Sequence, residues 1–119
     1  MLETDYPIVN LYVLLYNQEI SRLIVMVNFK GRKYRIFKAK ELSSRQINKI
    51  HKIVSRYNKI NKDTFTWGNY AIYRFGTILL IGEIRKKEFT PHAIGFLKRV
   101  SKPIYRAMIK NGNLKDVIN

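Results

Sequence analysis

Tyr105 stands between Lys102 and Arg106, and a phenol held among cations is an arrangement that lets tyrosine attack a phosphodiester. Enzymes that nick DNA with a helical tyrosine also hold a metal with paired histidines on a strand. The two histidines here, His51 and His92, are too far apart in sequence to form a local ligand pair. A metal-free ribonuclease would instead use His51 or His92 as an acid or base beside cations. The eight acidic residues are thinly spread, and no pair has the spacing of a metal-dependent nuclease core. There is no cysteine, which removes disulfides, thiolate zinc sites and cysteine nucleophiles together. The balance leans against catalysis. Tyr105 and His51 remain the catalytic candidates, and no metal site and no cofactor are expected.

Binding chemistry is better represented. The net charge is +15, and it is uneven: residues 1–29 carry −2, residues 30–62 carry +11 and residues 63–119 carry +6. Such a field favours a polyanionic partner, because many phosphate contacts add through counterion release. Within the +11 stretch, Arg45, Lys49, Lys52, Arg56 and Lys59 recur at steps of four, three, four and three, which places them on one helical stripe. Asn48 and Ser55 accompany them, and no acid falls between Arg45 and Lys62. A water-facing helix surface can be basic for solubility alone, but interspersed acids would then be expected. The stripe reads as a phosphate-backbone contact.

Two further groups are candidates. Lys30-Gly31-Arg32-Lys33-Tyr34-Arg35 places cations around a glycine turn, so Lys30, Arg32, Lys33 and Arg35 could assist in holding phosphate. The same charges would serve equally to protect an edge strand from pairing with another chain. The spacing is not that of a P-loop. Trp67, Tyr70 and Tyr73, with Arg74 adjacent, could stack on unpaired bases, and Tyr70 is the member expected at the surface. Aromatics at strand spacing more commonly face the core.

These side chains need elements to hold them. Residues 8–16 form a dense apolar and aromatic run that reads as a buried strand. Arg22 to Phe29 reads as a second strand and Lys33 to Lys38 as a third, with the Gly31-Arg32 turn between them. Ser43 with Gln46 three residues on is a capping-box pattern. Ile47, Ile50, Ile53, Val54, Tyr57 and Ile60 then repeat at helical spacing up to Asn61. Beyond the helix, residues 65–75 are read as one strand, with Phe65, Trp67, Tyr73 and Phe75 on one face and Tyr70 and Ile72 on the other. Gly76 turns the chain into a strand over Thr77 to Arg85. A last helix opens with Thr90 as cap and Pro91 at its first position, and ends near Asn111-Gly112. Pro103 should kink or split it.

The resulting order is β-β-β-α-β-β-α. The fold class is α+β: one antiparallel sheet of about five strands with both helices on one face. Residues 1–119 are expected to form one compact domain, frayed over 1–6 and 113–119. The sequence contains no apolar run long enough to span a membrane, and its acidic N-terminus is unlike a signal peptide. With the lack of cysteine, this suits the cytoplasm. Richness in Ile, Lys, Tyr and Asn fits an AT-rich genome, such as that of a virus or mobile element.

The expected function is a small basic nucleic-acid-binding protein, with DNA favoured slightly over RNA. The competing class is an inhibitor or adaptor that uses the basic field against a host protein complex. The apolar runs Ile8 to Tyr16 and Ile78 to Ile84 suit either central strands or pairing across a homodimer, which would fit a two-fold DNA site.

Overall fold

Ser43 begins the first helix, α1 (Ser44–Ile60), as its capping pattern requires. The Gln46 amide donates to Ser43 Oγ at 3.2 Å, and the Ser43 amide donates to Gln46 Oε1 at 3.0 Å. Two amides without helical partners are thereby satisfied. At the other end Asn61 turns left-handed, with φ at 55°, and its amide donates to the Tyr57 carbonyl at 2.7 Å. Between these caps Ile50, Ile53 and Tyr57 are buried, while Val54 packs beside them half-covered.

The computed structural model describes residues 8–15, 24–27, 35–38, 42–84 and 90–110; over 24–27, 35–38 and 90–92 it describes the backbone alone. Among the described residues six strands form one antiparallel sheet: β1 (Ile8–Leu15), β2 (Ile24–Val27), β3 (Arg35–Lys38), β4 (Thr64–Trp67), β5 (Tyr70–Phe75) and β6 (Ile78–Ile84). Their order across the sheet is β3-β2-β1-β6-β5-β4. Helix α1 therefore leads from one edge strand, β3, to the other, β4. The second helix, α2 (Thr90–Lys110), follows central strand β6. The first six residues, the Gly31-Arg32 turn and the tail 113–119 lie outside the described residues.

An α+β fold on a single antiparallel sheet agrees with the sequence reading, but three details need correction. Residues 64–75 are two strands, so the sheet has six strands where about five were expected, and the order is β-β-β-α-β-β-β-α. The break is a two-residue hairpin, Gly68-Asn69, between paired Trp67 and Tyr70. Gly68 has φ +58°, the sign that a type II′ turn requires at its first central position. The break also corrects which aromatics share a face. Directly paired residues of an antiparallel ladder point the same way, and the pairs here are Phe65 with Ile72 and Trp67 with Tyr70. These four belong to one side of the sheet, and Tyr73 and Phe75 belong to the other.

The third correction concerns the layers. The helices pack on opposite faces of the sheet, not on one. Against α1 lie Tyr12 and Leu14 of β1, Leu79 and Ile81 of β6, and Ile72 of β5. Against α2 lie Leu11, Val13 and Leu15, then Ile78, Leu80 and Ile84, with Ala71. Strands β1 and β6 are apolar on both sides, so each face of the central sheet needs a cover. A register shift between Ile8 and Asn10 turns Ile8 to the same face as Leu11.

Gly82 leaves room for a neighbouring side chain. A methyl group placed there would stand 2.9 Å from Ile8 Cδ1 on the adjacent strand β1, and 3.4 Å from Leu97 Cδ2 of α2, so the Ile8 side chain would have to shift. Pro103 does not divide α2, which runs unbroken from Thr90 to Lys110. It removes one backbone donor, yet Val100, Ile104 and Met108 are all buried, and their packing holds the turns on both sides of the proline together. Among the described residues, no helix is long and apolar enough to cross a membrane.

Candidate functional site

Arg45, Lys49, Lys52, Arg56 and Lys59 are all exposed on α1. At about 100° per residue they stay within a sector of roughly 80°, in a stripe about 21 Å long. Next to this cationic sector lies a neutral one, formed by the exposed Asn48, His51, Ser55 and Asn58. Hydroxyl and amide groups beside cations are the usual company of phosphate contacts. The helix thus presents charge along one flank and neutral hydrogen-bonding groups along the other.

The stripe is unfavourable to the helix that carries it. Arg45 occupies the first turn, where the helix dipole disfavours positive charge, and α1 has no acid in that turn. Neighbouring cations three or four residues apart repel, and the stripe contains four such pairs: 45/49, 49/52, 52/56 and 56/59. At about 0.2–0.5 kcal/mol each, the repulsion amounts to roughly 1–2 kcal/mol. Only Lys59, in the last turn, sits where the dipole favours it.

Near its C-terminal half the stripe meets an aromatic side chain. The Arg56 guanidinium carbon lies 5.7 Å from the centre of the Trp67 ring, within range of a cation–π contact. His51, Lys52, Ser55, Arg56, Lys59 and Trp67 line an open groove of ≈ 410 Å³ between α1 and the edge strand β4. Trp67 is half-buried and packs on the α1-side core, where the Phe65 and Tyr57 rings stack with centres 6.0 Å apart. Sequence reasoning grouped Trp67 with Tyr73 and so missed its place beside Arg56. The Gly68-Asn69 pair, a good hairpin turn, was the signal that could have revealed it.

The other candidates separate. Tyr70 lies on the α1 face but is half-buried, and its phenol is pushed above its ordinary pKa, first by burial and then by the Glu83 carboxylate. Tyr73 packs half-buried on the α2 face, and Arg74 Nε donates to the Gly76 carbonyl at 3.1 Å. The proposed stacking trio is thus split between the two faces of the sheet. Tyr105 turns towards the sheet and packs edge-on against Phe75, with ring centres 5.6 Å apart. His51 is exposed on α1, whereas His92 belongs to α2 in the opposite layer. Lys30, Arg32 and Lys33 lie outside the described residues, and of Arg35 only the backbone, at the start of β3, is described. Among the described residues, no three His, Asp or Glu side chains converge as a metal site would require.

A polar cluster that sequence reasoning overlooked sits under the N-terminal end of α1. Glu83 Oε1 accepts from Asn10 Nδ2 at 2.9 Å and from the Tyr12 hydroxyl at 3.3 Å. Tyr12 is 3% exposed, and its pKa is raised to about 12, chiefly by burial and then by Glu83. Asn10 and Tyr70 flank Glu83 directly in the ladder, so the carboxylate is enclosed by amide and phenol groups. At neutral pH both phenols stay protonated, which suits them to donating hydrogen bonds and not to nucleophilic attack.

No family model, no curated protein and no solved structure matches this chain, so its chemistry has to be read from its own surface.

Proposed function

We propose that the chain binds nucleic acid, with DNA ranked slightly ahead of RNA as the partner, by laying the cationic flank of α1 along a phosphate backbone. The observation that carries this reading is a stripe of five exposed cations, free of acids, that opposes the stability of its own helix. A surface that needed only solubility would mix charges and place acids in the first turn. A phosphate strand removes the repulsion, because each cation then faces an anion in place of another cation.

The groove between α1 and β4 deepens the contact. Trp67 holds the Arg56 guanidinium over its ring, which limits the rotamers that a phosphate would otherwise have to freeze. Asn48, His51 and Ser55 supply neutral hydrogen bonds along the adjacent sector. Contacts of this kind position a backbone without reading bases, so sequence preference is small and salt dependence steep. Among the described residues no cluster of His, Asp or Glu accompanies Tyr105 or His51, and the proposed reading is of binding without catalysis.

Titration of labelled random-sequence DNA and RNA at several salt concentrations tests this proposal. Binding that weakens steeply with salt and is reduced in Lys49→Glu with Lys52→Glu, in affinity or in duplexes bound per chain, supports it. Binding unchanged in that variant sinks the α1 assignment. An absence of binding to either nucleic acid at low salt leaves the inhibitor reading in its place. Trp67 is the only tryptophan, so its fluorescence reports on the groove directly.

A further inference from the structure

Helix α2 carries a second set of cations with the same character as the first. Lys98, Arg99, Lys102, Arg106 and Lys110 are all exposed, and no acid occurs anywhere in Thr90–Lys110. At about 100° per residue they fill a sector of roughly 120°. The centre of that sector is diametrically opposite the buried row Phe96, Leu97, Val100, Ile104 and Met108. Lys98/Lys102, Arg99/Lys102, Lys102/Arg106 and Arg106/Lys110 are like-charged neighbours, so this helix is also burdened by its own surface. Arg99 repeats the arrangement of Arg56, with its guanidinium 5.9 Å from the centre of the Phe96 ring.

The two cationic helices cover opposite faces of the sheet. With layers about 10 Å apart and helices about 10 Å across, their outer surfaces are separated by roughly 30 Å of protein. Duplex DNA has a persistence length of about 500 Å and cannot curl around a body of this size to reach both. A duplex seated on α1 leaves the α2 cations on the other side of the sheet, facing away from it.

We infer that the outer face of α2 is a second nucleic-acid-binding surface, so that one chain bridges two separate duplex segments. The inference rests on the binding proposed for α1 and adds a valence of two. It assigns Lys98, Lys102, Arg106 and Lys110 to phosphate contacts. In effect the protein is a cross-linker, able to hold together two duplexes or two distant parts of one.

The test uses the full chain, a biotinylated duplex of random sequence on beads, and a second, fluorescent duplex free in solution. Wild-type protein is expected to retain the fluorescent duplex and to saturate at two duplexes per chain. The variant Lys98→Gln, Lys102→Gln, Arg106→Gln should saturate at one and lose retention at least about tenfold, since three contacts are removed. The milder pair Lys102→Gln with Arg106→Gln should fall between them, and a melting curve on each variant confirms folding. Retention by the triple variant equal to wild type overturns the α2 assignment, because bridging would then come from self-association or another surface. Wild-type protein that binds one duplex and retains none overturns bridging while leaving the α1 reading standing. Failure to bind any duplex overturns both.

Discussion

Replacing Lys49 and Lys52 together with alanine should weaken nucleic-acid binding and strengthen the fold in the same variant. If all five stripe cations touch phosphate, log K falls against log salt with a slope of about −4.5. That slope predicts a loss of about 500-fold in affinity between about 50 and about 200 mM salt. Two contacts fewer bring the slope to about −2.7, so the variant binds about 60-fold more weakly at about 0.1 M salt and about equally near 1 M. Both side chains are exposed, so no core contact is lost. Three repulsive pairs disappear, 45/49, 49/52 and 52/56, which should stabilise the helix by roughly 0.6–1.5 kcal/mol at low salt. Fluorescence anisotropy with a labelled duplex across a salt series measures the first effect, and urea denaturation at low salt measures the second. A slope unchanged from wild type, or a deficit that stays constant as salt rises, would refute the phosphate-contact argument. A variant less stable than wild type would refute the claim that the stripe is carried at the helix's expense.

Other expectations concern the scaffold. Ser43→Ala removes the cap of α1 and should cost about 1 kcal/mol in a denaturant melt, with Gln46 unable to compensate because its own amide loses its acceptor. Gly82→Ala pushes a methyl group against Ile8 and Leu97 and should cost about 1–2 kcal/mol; Ile8→Val, which removes the atom at 2.9 Å, should shrink that penalty in a double-mutant cycle. Tyr12 has a folded-state pKa raised to about 12 against an ordinary 10.0, so the folded state holds its proton more tightly. The stability this confers is complete below pH 10 and is lost as pH rises from 10 towards 12. Denaturation midpoints of wild type and Tyr12→Phe should therefore converge over that interval, and a constant gap between them would contradict the assignment.

Several features were legible in residue order because the forces behind them are local. The Ser43–Gln46 box, the Asn61 stop and the helical period between them rest on contacts within four residues, and α1 runs between those caps as read. The stripe of cations needed only the same period. The split of residues 64–75 was also local in origin, yet Gly68-Asn69 was outweighed by the apparent continuity of aromatic residues on either side. Treating the segment as one strand reversed the face of Phe65 and Trp67 relative to Tyr73, because strand periodicity is two and a turn resets it.

By itself, the sequence determined a basic α+β chain with a capped cationic helix, since charge and periodicity are properties of neighbouring residues. Tertiary structure alone decided which surfaces those charges occupy. Strands β1 and β6 are apolar on both faces, so burial requires one helix on each side of the sheet, and no local pattern in α1 or α2 records that requirement. The same packing sets Arg56 over Trp67, encloses Glu83 among Asn10, Tyr12 and Tyr70, and places the cationic helices α1 and α2 on opposite sides of the sheet. Residues far apart in the chain meet or part there because the central sheet must be covered twice.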